Sequence, residues 1–448
     1  MARRNEMASE QAAETVSGKT PEDELMAGAL SNPASERVTS LFEHVLKKEN
    51  LRQALRQVRR NRGAPGIDGM SIDELPGYLK DHWLGIKDAL QNERYRPQPV
   101  KRVEIPKPDG RKRKLGIPTV LDRFIQQAIN QVLQCVFDPT FHPHSYGFRP
   151  KRSAHQAVRH AQEQVKAGWS WVVDLDLEAF FDRVNHDRLM HRLKQRIDDP
   201  ALLRLIGRFL RAGVQIGETV EPTQEGVPQG GPLSPLLANV VLDELDQELT
   251  RRGHRFARYA DDCNVFVRSK SAGTRVMQSL RRYLERTLRL GVNEAKSAVD
   301  RPWKRTFLGF TLSRKDKALK VADKAIDALK DKVRAISVRT RGHRLTQIIE
   351  ELRELLLGWK AYFGITEVQS PLRDLERWVR RRLRCYLWKQ WDRSGYRQLR
   401  KRGVSRELAW NTAKSAHGPW RLSRSPALAI ALPNRYFTGL GLPTLETR

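Results

Sequence analysis

Four aspartates stand in patterns that could do chemistry. In the run Trp171-Val-Val-Asp174-Leu-Asp176-Leu177, two of them alternate with apolar residues. In a strand, alternate side chains share a face, so Asp174 and Asp176 would point one way while Val173, Leu175 and Leu177 enter a core. The second pattern, Tyr259-Ala260-Asp261-Asp262, sits inside an alternating segment over 255–268, where a hairpin turn would expose both carboxylates. Carboxylates gathered on adjoining strands repel one another unless cations neutralise them. Mg2+ suits that task because it prefers oxygen ligands and substrate phosphates. Two such ions ~3.5–4 Å apart can activate a 3′-hydroxyl and stabilise a pyrophosphate leaving group. Each segment alone is ambiguous, since Asp-Asp in a turn is commonly turn chemistry. Together, on a basic chain, they suggest a polymerase of the palm type.

The elements that must hold these residues are legible in outline. Helical spacing runs from Val38 through Leu41, Val45, Leu51, Leu55 and Val58, and stops at the turn cluster Asn61-Arg-Gly-Ala-Pro-Gly. Residues 95–120 read as a hairpin, 121–137 as a helix, 169–177 as a strand and 185–195 as a helix. A Gly/Pro loop over Val227 to Pro235 precedes an apolar helix, Leu236 to Leu245. Mixed helices and strands predict an α+β domain. Beyond about residue 320 the spacing turns helical: Ile326, Leu329, Val333, Ile336; then Leu345, Ile348, Leu352, Leu355, Trp359; then Leu375, Val379, Leu383, Tyr386.

Charge indicates the class of partner. The 448 residues carry 82 Lys+Arg against 52 Asp+Glu, a net charge of +30. Residues 1–36 oppose this trend at a net −4, and their Ala/Ser/Glu-rich composition predicts a disordered acidic tail. An excess of this size over the rest of the chain points to a polyanion, usually nucleic acid. It is concentrated over 371–410, which carries a net +9 with Trp378, Tyr386, Trp388 and Trp391 interleaved. Basic residues among aromatics suit phosphate contacts and base stacking, although Trp378 and Tyr386 share the apolar face and read as core. Arg380, Arg381, Arg384 and Lys389 are the candidates for nucleic-acid binding. No run approaches the ~18 apolar residues of a spanning helix, and Met1 to Gln11 lacks a secretory h-region. Cys135, Cys263 and Cys385 are too scattered for a disulfide framework or a thiolate zinc site. A soluble, cytoplasmic protein without membrane association is expected.

The order of further motifs makes a resemblance specific. Tyr259-Ala-Asp-Asp262 resembles the YxDD box of reverse transcriptases. The blocks around it resemble those of bacterial group II intron reverse transcriptase/maturases: Asn61 to Gly69, Ile105 to Pro118, Ser145-Tyr-Gly-Phe-Arg-Pro-Lys-Arg-Ser153, Gly226-Val-Pro-Gln229-Gly230 to Pro235, Leu290 to Lys296, Phe307-Leu-Gly-Phe310, and Gly358 to Phe363. The match spans roughly 40–445, and eight ordered blocks are a stronger signal than any one. It implies a right-hand fold of fingers and palm followed by an α-helical thumb, or maturase X, domain. The implied domains are a tail over 1–36, a helical N-terminal extension over 37–95, fingers and palm over 96–318, a thumb over 319–410, and a small basic segment over 411–448 that binds DNA or extends the thumb. That last segment holds no cysteine and only His417, so it cannot form a typical Cys/His nuclease, and the chain resembles the endonuclease-lacking class.

The resemblance also assigns roles. Asp176 and Asp261 would hold two Mg2+ ions, with Mn2+ an alternative; Asp262 and the Leu177 carbonyl would support them. Asp174 is expected to be structural. Lys107 and Arg113 would neutralise the incoming triphosphate, and Gln229 and Gly230 would meet the nucleotide. Phe181, five residues after Asp176, would crowd C2′ and select dNTPs, with Phe180 the core residue. Lys296 would assist the departing pyrophosphate. The implied activity is RNA-directed DNA polymerisation together with maturase activity in splicing and mobility. The implied partners are structured intron RNA, an RNA template with a DNA or RNA primer, a DNA target and dNTPs. A domesticated reverse transcriptase of defence or repair would share these features. An RNA-directed RNA polymerase fits less well, given the YxDD box and Phe181. A non-catalytic RNA-binding splicing factor would tolerate loss of the three carboxylates, which are all present.

Overall fold

The computed structural model describes residues 41–106, 110 and 112–446. The acidic tail expected over 1–36 and the candidate Lys107 lie outside the described residues. The chain divides into two compact units.

The first unit comprises Met1–Phe141, His186–Gln224 and Pro228–Ser234. Helices Leu41–Leu46 and Lys48–Asn61 bury Leu41, Val45, Ala54 and Val58, the face marked by the sequence spacing, against helix Val120–Phe137. The second helix stops at Arg62, whose φ of 45° reverses the chain at the turn cluster. Thr119 caps the long helix, its hydroxyl accepting from the Asp122 amide. Strands Val100–Pro106 and Lys112–Ile117 form the expected antiparallel hairpin with Val103 opposite Leu115. The hairpin joins a four-stranded sheet through a parallel pairing of Val100 with Val214.

The second unit comprises His142–Asn185, Glu225–Val227 and Pro235–Arg448. At its centre is an antiparallel sheet in the order Arg255–Tyr259, Asp262–Val267, Trp171–Leu175, Ala298–Asp300. Trp171–Leu175 is thus a central strand, which explains why Val172, Val173 and Leu175 are all buried while Asp174 is only half-buried. Helix Ser234–Arg251, longer at both ends than the apolar pattern indicated, buries a polar stripe of Asn239, Asp243 and Asp246.

Helices Asp323–Ile336, Leu345–Phe363 and Ser370–Trp391 follow in the same unit and bury all three predicted apolar stripes. Leu355 and Trp359 sit at the margin of that core, whereas Trp388 and Trp391 are inside it. The expected boundary at 410/411 does not appear in the packing. Leu422, Leu428, Leu432, Phe437 and Leu445 belong to the same apolar core as the three helices. Short apolar runs such as Ala427 to Leu432 carry too little periodicity to announce that they complete another element's core. Among the described residues no helix is long and apolar enough to cross a membrane.

Candidate active site

Strand alternation places Asp174, Asp176 and Asp262 on one face of the central sheet. Asp174 stands opposite Asn264, and Asp262 pairs with Tyr259 across a turn only two residues long. That tight turn carries Asp261 directly before the strand that begins at Asp262.

The carboxylates meet different surroundings. Arg305 grips Asp174, its Nε and Nη2 lying 2.8 and 2.6 Å from one carboxylate oxygen. Burial pushes the Asp174 carboxyl up and Arg305 pulls it back. Asp176 accepts from the Lys296 ammonium at 3.2 Å. Its backbone is fixed by the Ser297 hydroxyl at 3.0 Å and by the Asn293 amide at 2.9 Å. Asp262 lies at the exposed end of its strand, yet the protein desolvates its carboxyl. That desolvation, followed by the charges of Asp261, Asp174 and Asp176, pushes it up to about 7. Excess negative charge of this kind is what a divalent cation would relieve. Among the described residues no three His, Cys, Asp or Glu side chains are drawn together into a metal cage. Mutual repulsion, with Lys296 and Arg305 holding two of the carboxylates, accounts for the open arrangement.

The neighbouring candidates fall where the chain reverses. Leu177 bridges to Val292, which secures the backbone just after Asp176. Ala179 turns the chain with a φ of 46°. Phe180 is then buried and Phe181 half-buried, their rings 5.2 Å apart at 71°. The Val227 amide donates to the Phe181 carbonyl at 2.6 Å. Gly226 passes so close that a Cβ would lie 3.0 Å from that oxygen, with a φ of 90° besides. Lys296, expected to assist the leaving group, pairs with Asp176.

Arg113, Gln229 and Gly230 belong to the first unit. Arg113 is exposed on the hairpin opposite Ile105. The Gln229 carbonyl accepts from the Gly116 amide at 2.8 Å. Gly230, with a φ of 131°, lies where a Cβ would come within 2.6 Å of the Gly116 carbonyl, so no other residue fits without a shift.

Three of the four residues expected to bind nucleic acid also have partners within the protein. Arg380 is nearly buried and bonds Glu376 at 2.8 Å. Arg381 lies 3.7 Å over the Trp420 ring and donates to the Trp420 carbonyl and the Ser423 hydroxyl. Arg384 donates to the Leu432 carbonyl and to Asn434 Oδ1, each at 3.0 Å. Residues 420–434 cover this side of helix Ser370–Trp391, and Arg381 and Arg384 fasten that segment to the helix. Lys389 alone of the four is exposed.

Two arginines at the site escaped the sequence reading. Arg305 was hidden because its partner lies 131 residues away. Arg258 had a visible signal: it is a charged residue between Phe256 and Ala260 in an alternating strand. It proves to be fully buried.

Comparison with known proteins agrees with this layout. Residues 105–312 match the family described as reverse transcriptase (RNA-dependent DNA polymerase), and residues 326–404 match the group II intron, maturase-specific domain. Protein YkfC of Escherichia coli (strain K12) is 32% identical over 316 residues, covering 61% of this chain and 82% of that protein. The group II intron-encoded protein LtrA of Lactococcus lactis subsp. cremoris is 35% identical over 224 residues, 50% of this chain but only 37% of LtrA. A chain of the partial Cas6-RT-Cas1–Cas2 complex aligns over 55% of this chain and 42% of its own, at 25% identity and a TM-score of 0.36, a likeness too loose to carry an argument. With a reverse transcriptase domain followed in order by a maturase domain, and a relative matched over most of its length, this chain belongs to the group II intron reverse transcriptase/maturase family.

Proposed function

We propose that the carboxylate face extends a primer on an RNA template with dNTPs, and that the helices after residue 320 bind structured intron RNA and promote its splicing and mobility into a DNA target. The gathering of Asp174, Asp176 and Asp261 around the desolvated Asp262 carboxyl supports the first part. Asp176, Asp261, Asp262 and the Leu177 carbonyl would hold Mg2+, or Mn2+ in its place. The ions, when bound, would lower the barrier to 3′-hydroxyl attack and neutralise the departing pyrophosphate.

The chain's own residues would do the rest. Lys296 neutralises Asp176 in the resting protein and, freed from it, would offer its ammonium to the pyrophosphate. Phe181, held through its backbone by Val227, would present its ring edge to C2′ of the sugar. Gln229 and Gly230 would bring an amide and bare backbone to the nucleotide, while Arg113 and Lys107 would meet the triphosphate. The overall positive charge supports binding of template, primer and intron RNA.

The test is single-nucleotide extension of a primer annealed to RNA, with dNTPs and Mg2+. Extension by the intact protein and none by Asp261→Ala is the expected result. Equal extension by both would remove the carboxylates from the mechanism.

A further inference from the structure

The Ser145-Tyr-Gly block has no role in the site as described, and neither has the fully buried Arg258. Both are explained together. Arg258 lies on the sheet face opposite Asp262, its side chain inside the protein. Its guanidinium makes five hydrogen bonds. Nε and Nη2 bind both oxygens of Asp246 at 2.7 and 2.6 Å. Nη1 reaches Asn239 Oδ1 at 3.0 Å and the Ala260 carbonyl at 2.9 Å, and Nη2 also reaches the Ser145 hydroxyl at 2.7 Å. Burial opposes the charge on Arg258, and Asp246 sustains it.

The network grips the acidic turn from beneath. Ala260 has a φ of 56°, a left-handed conformation that L-residues rarely adopt. Such a residue persists when its surroundings over-determine it, and here Arg258 holds its carbonyl. The Ser145-Tyr-Gly segment closes the other side. Ser145 bridges to Arg258, the Tyr146 amide donates to the Arg258 carbonyl at 2.8 Å, and the Gly147 carbonyl accepts from Asn239 at 2.8 Å. A Cβ on Gly147 would lie 2.3 Å from the Ala260 nitrogen, so this segment runs directly against the turn.

We propose that Arg258 and the Ser145–Gly147 segment form a positioning clamp that fixes the Ala260–Asp261 turn, and with it the carboxylates of Asp261 and Asp262, in the geometry needed for nucleotidyl transfer. This rests on the polymerase reading of the site. The clamp touches neither substrate nor metal. Two unlike lesions should therefore produce one phenotype. Arg258→Lys keeps a cation beside Asp246, but an ammonium cannot serve the remaining acceptors in the fork geometry. Gly147→Ala leaves the guanidinium network chemically intact and pushes the turn by steric contact.

The experiment measures three quantities in the full chain: kcat and KM for dNTP in single-nucleotide extension, the melting temperature, and amide hydrogen exchange of peptides covering 256–264. For each variant we expect kcat to fall on the order of 10²-fold, the cost of a roughly 1 Å misplacement. KM should stay close to wild type, exchange should accelerate at the turn beyond what any lowering of the melting temperature explains, and both variants should remain folded at the assay temperature. A kcat loss that merely follows a lower melting temperature, without faster local exchange, would overturn the clamp. So would wild-type kcat in both variants. If the unmutated protein does not extend a primer, the polymerase reading fails, while exchange at the turn still decides whether the clamp exists.

Discussion

The central sheet and helix Ser370–Trp391 are both dense in charge, yet they use it in opposite ways. In the helix, Arg380, Arg381 and Arg384 each find a carboxylate, carbonyl, hydroxyl or ring within the protein. Each guanidinium thus helps to hold the fold, although Arg380 Nε is buried without a partner among the described residues. On the sheet face, desolvation and then the charges of Asp261, Asp174 and Asp176 push Asp262 up to about 7, against the pull of Lys296. Charge that the fold satisfies holds the fold together; charge that it leaves in surplus is available to a ligand. Counting charged residues in the sequence cannot separate the two, because the difference lies in the partners.

Mutation can break this comparison, and the largest effect should come from the surplus side. Asp261→Ala or Asp176→Ala should lower extension by at least ~10³-fold, the upper range for removing one preorganised electrostatic group. RNA affinity, measured by filter binding, should stay near wild type. Retained extension would place the chemistry elsewhere.

Next in size is the sugar gate. Phe181→Ala should reduce discrimination between dNTP and rNTP by about 10–10²-fold, the range expected for a steric pocket contact. Competitive incorporation on one template measures it, and unchanged selectivity would assign the gate to another residue.

The helix arginines sharpen the comparison from the satisfied side. Arg384→Ala should cost about 1–2 kcal/mol of stability, since it removes charged hydrogen bonds to the Leu432 carbonyl and to Asn434. It should lower the melting temperature more than Lys389→Ala does. The reverse order, with Arg384→Ala stable but deficient in intron RNA binding, would restore the role first expected for Arg384.

The smallest effect is a pH dependence. The Asp262 carboxyl titrates higher in the folded chain than in the unfolded one, so the folded state binds more protons between about pH 4 and pH 7. Its contribution to stability is present below the unfolded value and is lost as pH rises through the folded value. Without divalent ions, Asp262→Asn should therefore melt a few degrees above wild type at pH 8, and the gap should narrow as pH falls and close only below about pH 4. Added Mg2+ should raise the wild-type melting temperature more than that of the variant. A gap independent of pH would refute this account of Asp262.

Much of this was legible before any coordinates, for reasons that differ by element. The alternation of Asp174 and Asp176 with buried neighbours fixed a strand and its faces, because side-chain period 2 leaves little choice. The three helices after residue 320 were readable from stripes at helical spacing, and the hairpin over 100–117 from its turn residues. What stayed hidden were pairings across long separations, such as Arg305 with Asp174 and Arg384 with Leu432. No local pattern encodes a partner 131 or 48 residues away. For residues 411–446 the sequence left two readings open, binding DNA or extending the thumb, for the same reason. Their short apolar runs looked like a tail, and only tertiary packing shows whose core they fill.

That packing bears on how the protein is made. Leu345, Leu352 and Leu375 leave the ribosome well before Leu422, Leu432, Phe437 and Leu445, which share their core. During translation the three helices must therefore wait with an uncovered apolar side until the later residues arrive. The carboxylate sheet waits for less: its last strand ends at Asp300, and the core on it is completed by Phe310, Leu312 and Leu319 with Tyr362, Phe363 and Ile365 packed against them. The sheet core is therefore complete before Leu422 is made, whereas the helical core still lacks Leu422, Leu432, Phe437 and Leu445. Slow or interrupted translation near residue 420 should thus yield chains with an assembled catalytic sheet and an aggregation-prone thumb.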